Sequence, residues 1–412
     1  MSRGRPYHSA VTTPPPDSPD TTSAHAEHRR WRAADRAGQD RPEPGTVEVN
    51  LFGPGYGESI AIHLGDNRWM IVDSCARGDA EPAALLYLRR LGCDLRDVKY
   101  LVATHWHDDH IRGFSTLIEQ CPDADVFLSQ ALNVKPLLVR VMARTSRDLP
   151  SLSEMNRTIH TLIRRAARRT NRQPFHYLSE DKPVHSNVHH PGNDVEIWAL
   201  SPSSQDFDLA IAALVRTMPR LSEGASLDAV PRPRENHASI VLHVRAGNQR
   251  ILLGADREVL GSGRRGWNSV AACATRRGLG RSSLFKIAHH GSPNGDAPVI
   301  WEDLLEPEPV VVLTPFRRGY EGGRPRRDDV DRILARTPWA FTTCAPGDYS
   351  LLAEGISDML SDADHEVEDA QLPLGHIRAR ALTSGSPWSV ELFRPAAHLG
   401  EKHCTHCATK AG

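Results

Sequence analysis

An internal repeat is the feature that most constrains the fold of this 412-residue chain. Residues 59–73, SIAIHLGDNRWMIVD, resemble residues 239–256, SIVLHVRAGNQRILLGAD, in two apolar strand patterns joined by an Asn-containing turn and ending in Asp. A helical segment and another apolar strand follow each copy. Counting from that Asp, His105 lies 32 positions further in the first copy and His289 lies 33 further in the second. The repeat predicts two β-rich halves, packed face to face with helices outside, that deliver polar residues to one shared edge.

A cluster of ligand-type side chains begins where the apolar strand VKYLVAT ends. In the segment HWHDDH, His105 and His107 are two positions apart at a strand end, so both can face one cation. Asp109 and His110 stand at the start of a predicted helix, DHIRGFSTLIEQ, and can face a second cation. Imidazole and carboxylate groups at this density suit zinc, or manganese and iron where oxygen ligands dominate. We therefore predict one or two divalent metal ions, Zn or Mn, rather than a polar loop with structural histidines.

The second copy of the repeat offers further ligands. Asp256 ends the strand RILLGAD and could bridge two cations about 3.5–4 Å apart, which would lower the pKa of a water between them. In the pair that follows LFKIA, we expect His290, beside Gly291, to bind the second cation. His289 is then left to hydrogen-bond a substrate oxygen or to donate a proton. The predicted catalytic residues are Asp109, Asp256 and His289.

These motifs resemble those of the metallo-β-lactamase superfamily. The matching residues are the H-x-H-x-D-H motif at His105, His107, Asp109 and His110, the bridging Asp256, the HHG pair, and Asp73 for the family's structural aspartate. The resemblance covers residues 46 to about 350 and implies an α/β fold, the four-layer αββα metallo-β-lactamase sandwich. Within the superfamily, NHASIVLHV…RILLGAD…LFKIAHHGS is most similar to the soluble domain of ComEC-type DNA-uptake (competence) proteins. The resemblance implies a metal-dependent hydrolase.

One departure concerns the first cation. Many members of the superfamily carry a further histidine after a mid-chain strand, where this chain continues VEIWALSPSS through Ser201 and Ser203. The ComEC-like branch also tends to lack this histidine. The candidates to replace it are His237, His185, His189 and His190. Operation with a single metal ion stays open.

Composition divides the chain around this domain. Residues 1–45 are rich in Pro, Thr, Asp and Arg, which predicts a disordered leader, and residues 46–350 form the predicted hydrolase domain. Residues 131–182 are expected to be a helical basic insertion. Residues 351–398 are interpreted as an acidic loop and a closing hairpin of the same domain, and residues 399–412, which include HCTHC, as a flexible tail rather than a zinc site.

Local arginine clusters are the only guide to the substrate. Residues 131–182 hold 11 Lys and Arg against four Asp and Glu, and the loop FRRGYEGGRPRR is also basic. The candidate substrate-binding residues are Arg164, Arg165, Arg168 and Arg169 on a helix, and Arg317, Arg318 and Arg324 in the loop. Guanidinium groups bind phosphate bidentately, so these residues favour a phosphate-containing substrate. Two solvated faces are the alternative interpretation.

Global properties narrow the function without identifying it. The net charge of −1 gives no general attraction to nucleic acid, so nucleic acid would have to bind through the local arginine surfaces. Seven cysteines without regular spacing, and no apolar run of membrane length, predict a cytoplasmic protein with no membrane partner. The first hypothesis is a phosphodiesterase or nuclease. The alternatives are a hydrolase of small carboxylic esters or thioesters, and a metal-retaining regulatory component of a genome-defence or DNA-uptake assembly with a protein partner. The oligomeric state is left undetermined.

Overall fold

The computed structural model describes most of the chain between residues 29 and 401. The described ranges are 29–34, 40–53, 57–76, 80–132, 150–168, 173, 175–186, 194–217, 235–261, 263–318, 321–344 and 374–401. The sequence predictions for the acidic segment 351–373 and for the HCTHC tail therefore lie outside the described residues, as do His189, His190 and Arg169.

Two large sheets and a short hairpin contain the strands. The strands up to residue 178 are β1 (Arg30–Ala34), β2 (Thr46–Gly53), β3 (Ser59–His63), β4 (Trp69–Val72), β5 (Val98–Ala103), β6 (Asp125–Ser129) and β7 (His176–Leu178). The later strands are β8 (Lys182–His185), β9 (Val195–Ala199), β10 (Leu242–Ala246), β11 (Gln249–Leu253), β12 (Ser282–Lys286), β13 (Leu305–Leu313), β14 (Phe316–Arg318), β15 (Glu321–Arg324), β16 (Ala340–Thr342), β17 (Gly375–Leu382), β18 (Ser389–Phe393) and β19 (Ala397–His398). The strand order is β1-β18-β17-β2-β3-β4-β5-β6-β7 in the first sheet and β19-β16-β13-β12-β11-β10-β9-β8 in the second.

Each copy of the sequence repeat forms the same arrangement in its own sheet. In the first sheet β3 and β4 form an antiparallel hairpin and β4 runs parallel to β5. In the second sheet β10 and β11 form the equivalent hairpin and β11 runs parallel to β12. Because the carboxyl ends of parallel strands meet at one edge, the residues that follow β4, β5, β11 and β12 gather at corresponding edges of the two sheets.

Helices cover the outer faces of both sheets, which gives the four-layer α/β sandwich. The helices are α1 (Ala83–Arg90), α2 (Asp108–Ile111), α3 (Phe114–Gln120), α4 (Pro150–Arg168), α5 (Ser204–Thr217), α6 (Gly266–Arg277) and α7 (Arg327–Leu334). A core that includes Ile62, Val102 and Leu253 fills the space between the sheets. A second core joins α1, α3 and α4 to the first sheet, and a third joins α6 and α7 to the second. The apolar strands are thus buried on both faces, as their continuous hydrophobic runs predict.

Two sequence predictions need correction. The prediction of a disordered leader over residues 1–45 is wrong for Arg30–Ala34, which forms an edge strand parallel to β18. This strand needs little core of its own because backbone hydrogen bonds, a contact of Arg32 with Glu391 and stacking of Trp31 on His398 hold it. The prediction of a helical insertion over residues 131–182 is wrong for His176–Leu178. These residues form β7, which pairs with β6 and so extends the first sheet. The predicted closing hairpin forms β17 and β18, and β17 pairs along β2.

The described part of the chain contains no helix that is both long enough and apolar enough to cross a membrane.

Candidate metal centre

The predicted ligands meet at the shared edge of the two sheets. His105 and His107 follow β5, and α2 begins at Asp108 and carries the next two predicted ligands. Asp256 lies three residues beyond β11, and His290 lies in the short turn His289–Gly291 that follows β12. All these side chains come from the carboxyl ends of parallel strands, as the repeat predicts.

Two groups of ligand atoms form there and share one carboxylate. The first group is His105, His107 and Asp256, and the second is Asp109, His110, Asp256 and His290; within each group the ligand atoms lie within 4.8 Å of one another. In the first group, the Nε2 atom of His105 is 3.1 Å from Nδ1 of His107 and 3.9 Å from Oδ2 of Asp256. Asp256 is therefore placed to serve two cations at once.

The distances in the second group match those around a small cation. The Nε2 atom of His290 is 3.1 Å from Oδ2 of Asp109 and 3.6 Å from Oδ2 of Asp256. The Nε2 atom of His110 is 3.3 Å from Oδ1 of Asp256 and 3.5 Å from Oδ2 of Asp109. Two ligand atoms about 2.0–2.1 Å from a tetrahedral zinc ion are about 3.3 Å apart. The group therefore has the dimensions of a site for a small divalent cation.

Neighbouring hydrogen bonds turn three imidazoles toward the centre. His290 donates Nδ1–H to the carbonyl oxygen of Thr314 at 2.9 Å, because a carbonyl can only accept, and Nε2 is left to bind a metal. The Nδ1 atom of His110 is 2.8 Å from Oδ2 of Asp73. Thr104 donates its hydroxyl to Asp73 at 2.8 Å, so its oxygen accepts from Nδ1 of His105 at 3.0 Å. Such outer partners fix the tautomer and the ring orientation of metal-binding histidines.

Unsatisfied buried atoms support metal binding. Among the described residues, Nε2 of His110 and Oδ1 of Asp256 are buried and have no hydrogen-bond partner. The two atoms lie 3.3 Å from each other without the alignment of a hydrogen bond, so neither is fully satisfied by the other. A divalent cation would satisfy both atoms, so the residues present fit the predicted ions.

The charges of the centre compensate one another when no cation is bound. Burial lowers the pKa of His110, but the carboxylates of Asp256, Asp109 and Glu58 outweigh burial and hold that pKa well above its ordinary value. The pKa of His290 is raised for the same reason, mainly by Asp256 and Asp109. Burial alone would raise the pKa of Asp256, but His110 and His290 lower it well below its ordinary value. The metal-free centre therefore pairs protonated imidazoles with carboxylates.

This pairing predicts that metal affinity increases with pH. A cation that binds Nε2 of His110 and of His290 must displace the proton held there, so binding releases protons below the raised pKa values. Affinity should rise as the pH increases and level off above those pKa values. Zinc titrations by calorimetry in buffers of different protonation enthalpy, at about pH 6 and about pH 8, measure the release. Equal affinity and no proton release at the lower pH would contradict the prediction.

His289 lies beside the centre, outside both ligand groups. Its Nε2 atom is 3.3 Å from the amide nitrogen of Asn236, and its Nδ1 atom is 3.5 Å from Oε1 of Glu258. Asn294 also donates to Glu258, and Nε2 of His237 lies 3.5 Å from the same carboxylate. Burial lowers the pKa of His289. Neutral His289 thus belongs to a polar cluster next to the metal ligands.

The structure brings no fourth ligand to the first group among the described residues. Ser201, in the segment that follows the mid-chain strand, is buried and exchanges hydrogen bonds with the backbone of Ser239 and Val241. His237 faces Glu258, and Nδ1 of His185 is 2.8 Å from the hydroxyl of Tyr100. Neither described candidate belongs to the group of His105 and His107.

The helical arginines lie away from the centre. Near its start α4 contacts α3, where Glu154 accepts from the backbone of Ser115. About eleven residues further, or about 16 Å along the helix, Arg165 donates to the carbonyls of Pro122 and Ala124 at the amino end of β6. Arg164 contacts Glu119, and Arg168 is exposed in the last turn. These arginines therefore lie near the sheet edge opposite the metal ligands.

The basic loop, in contrast, starts at the centre. The ring of Phe316, the first residue of β14, stacks on His290 with a centroid distance of 5.0 Å. Arg317 and Arg318 follow directly in the β14–β15 hairpin. Arg324, at the end of β15, donates to Asp329 at 2.7 Å and so stabilises the start of α7. Arg317 and Arg318 thus directly follow a residue that contacts a predicted ligand, and Arg324 lies opposite that residue in the hairpin.

Two buried residues of the centre are absent from the sequence prediction. Glu58 lies just before β3, within ligand distance of Asp73 and His110, and Lys286 is the last residue of β12. The signal for Lys286 was its position in LFKIA, where a lysine interrupts an otherwise apolar strand. We find no comparable signal for Glu58.

Comparison with protein families supports the metallo-beta-lactamase superfamily. The family model of that name matches residues 52–126, a stretch that contains Asp73 and the HWHDDH segment. No curated protein matches the chain. The comparisons give no support for the finer similarity to ComEC-type proteins.

Solved structures with this fold are similar only at a low level. The metallo-beta-lactamase fold protein YhfI from Bacillus subtilis is 10% identical, with 58% of this chain and 70% of that chain covered and a TM-score of 0.28. Metallo-beta-lactamase SMB-1, bound to 2-mercaptoethanesulfonate, is 15% identical over 61% of this chain and 80% of that chain, with a TM-score of 0.31. Hydrolase AbOPH is 12% identical over 48% and 55%, with a TM-score of 0.28.

Proposed function

We propose that the protein is a metal-dependent phosphodiesterase that acts on nucleic acid or on a nucleotide-like ester. The observation that carries the proposal is the position of the basic β14–β15 hairpin, which begins in ring contact with the predicted ligand His290. A cationic loop beside two ligand groups that share Asp256 suits a substrate whose phosphate must be both held and attacked.

In this proposal each residue of the site has a distinct role. Divalent cations held by the two ligand groups would activate water and neutralise charge on the phosphoryl oxygens. Asp73, Thr104 and Thr314 keep the imidazoles turned toward the centre. Arg317 and Arg318 hold the phosphate, and His289 contacts the leaving-group oxygen. The similarity of NHASIVLHV and HHGS to ComEC-type domains supports a DNA substrate in this proposal.

A hydrolase of small carboxylic esters or thioesters is the second candidate. The observation that favours it is the use of the other arginines within the fold, since Arg165 binds backbone carbonyls and Arg324 binds Asp329. A regulatory module with a protein partner is the third, because the first ligand group has only three described members. Metal content without turnover of any ester would favour the third.

Neutralising the hairpin arginines tests the substrate class. The variant Arg317→Gln/Arg318→Gln should raise KM for bis(4-nitrophenyl) phosphate about tenfold or more, because a charge-assisted hydrogen bond contributes about 1.5–3 kcal/mol. Turnover of 4-nitrophenyl acetate should not change. The matched control Arg164→Gln/Arg168→Gln, at the far edge of the sheet, should leave both substrates unaffected.

Long DNA extends the same test. Each lost phosphate contact should flatten the log–log salt dependence of binding by about 0.7–0.9 units. The phosphodiesterase proposal would be wrong if the hairpin variant kept the original KM and salt slope and the enzyme preferred 4-nitrophenyl acetate. The small-ester hydrolase would then be the better interpretation. A flatter slope in the α4 control would show that the helix contacts nucleic acid despite its distance.

A further inference from the structure

A buried ion pair joins the two sheets directly beneath the metal ligands. Lys286, at the end of β12, has no exposed surface, and its ammonium group contacts the carboxylate of Glu58, which is 1% exposed. Taking two charges out of water costs several kcal/mol per ion, so such a pair persists where further contacts satisfy it. The contacts of both partners lead to metal ligands.

On the lysine side, the pair fixes the turn that carries Asp256. Nζ of Lys286 donates to the carbonyl oxygen of Ala255 at 3.2 Å, and the backbone N–H of His289 donates to the same oxygen at 3.0 Å. Ala255 has φ +45°, in the left-handed region that a residue with a Cβ seldom adopts. Holding this carbonyl therefore holds the backbone that aims the next residue, Asp256.

On the glutamate side, the pair reaches the other members of the second group. The backbone N–H of Glu58 donates to the carbonyl oxygen of Asp109 at 2.8 Å. Its Oε1 atom is 3.7 Å from Nδ1 of His110, and its Oε2 atom is 3.9 Å from Nδ1 of His290. Oε2 is buried and has no hydrogen-bond partner among the described residues. Asp256 is thus held through Lys286, Asp109 is held through the backbone of Glu58, and the Glu58 carboxylate lies beside the imidazoles of His110 and His290.

We propose that Glu58 and Lys286 are positioning residues that hold the second ligand group together across the two sheets and thereby set its affinity for metal. The inference rests on the metal centre of the proposed function and adds residues that bind no metal themselves. The pair is formally neutral, so it acts on the geometry of the ligands and does not change the net charge of the metal centre.

The variant Glu58→Gln/Lys286→Met separates geometry from charge. It removes one negative and one positive charge, so the formal charge of the centre does not change, and both replacements are close in size to the originals. Replacing a buried ion pair as a unit is often neutral for folding. Loss of an outer partner typically weakens metal binding 10–100-fold. We therefore expect a folded variant in which the zinc ion of the second ligand group binds about 10–100-fold more weakly.

The measurement is a zinc titration against a chromophoric chelator, with metal content by mass spectrometry and thermal unfolding of the metal-free protein. The matched control is Arg378→Met/Glu391→Gln, which removes a buried ion pair between β17 and β18 and touches no predicted ligand. The control should bind two zinc ions with wild-type affinity.

Each outcome decides the inference. Wild-type affinity for both ions in the folded double variant would overturn it. If the double variant does not fold, Glu58→Asp keeps the charge and shortens the reach. Weaker binding of one ion by Glu58→Asp would then support the inference, and unchanged binding would overturn it. A wild-type protein that binds no metal would overturn the proposed function together with the inference, whereas metal-loaded wild type with an unaffected variant would overturn the inference alone.

Discussion

Asp256→Asn is expected to lower kcat/KM by about two orders of magnitude or more and to reduce bound metal from two ions to one. Asp256 is the only described residue that belongs to both predicted cation groups, and its carboxylate lies 3.3 Å from His110 and 3.9 Å from His105. Asparagine keeps the shape and removes the charge that would offset two nearby cations. Steady-state kinetics and metal analysis of the purified variant make the measurement.

The control for this variant is Asp303→Asn, which makes the same chemical change at an exposed position outside both ligand groups. Unchanged kinetics and two bound ions in Asp256→Asn would show that Asp256 only ends a strand. Loss of activity in both variants would point to a general effect of the substitution on the protein.

Gly57→Ala should destabilise the protein by about 2–4 kcal/mol and weaken metal binding by the second ligand group. Gly57 has φ +117°, which residues with a side chain rarely adopt, and an added Cβ would lie 1.8 Å from the carbonyl oxygen of Asp109. That atom belongs to the backbone, so relief requires Asp109 itself to move. Denaturant unfolding of the metal-free variant and a zinc titration measure the two effects.

Gly261→Ala is the matched control. Gly261 also has a positive φ, +67°, but an added Cβ would meet nothing within 4 Å. Its cost should be about 1 kcal/mol from backbone strain alone, with no effect on metal binding. Equal stability losses in the two variants would mean that backbone strain, rather than contact with Asp109, decides the effect at Gly57.

The sequence predicted the features that depend on local pattern. The repeat predicts where β5, β11 and β12 end, and the ligands His105, Asp256 and His290 lie two, three and four residues beyond those ends. The choice between His289 and His290 is a different matter, because both have a positive φ and only the tertiary partners Thr314 and Glu258 separate their directions.

Contacts between distant parts of the chain could not be predicted in this way. Glu58 and Lys286 come from different halves, and no local pattern signals that one charge will neutralise the other. The cationic face inferred from Arg164 and Arg165 ignored Glu119 and the carbonyls near β6, which become partners only when α4 packs on α3. Edge strand β1 was missed because its stability comes from pairing with β18 rather than from its own composition.

The pairing of β17 along β2 has a consequence for biosynthesis. Thr46 lies opposite Leu382 and Gly53 opposite Gly375, so β2 has its partner on one side only after nearly the whole described chain has been translated. Until then the nascent first sheet carries an unpaired edge, which is a template for association with other chains. Contacts of such long sequence separation also slow folding. Every predicted metal ligand is synthesised before the β17–β18 hairpin. A metal ion that binds the nascent chain would therefore bind before the first sheet is complete.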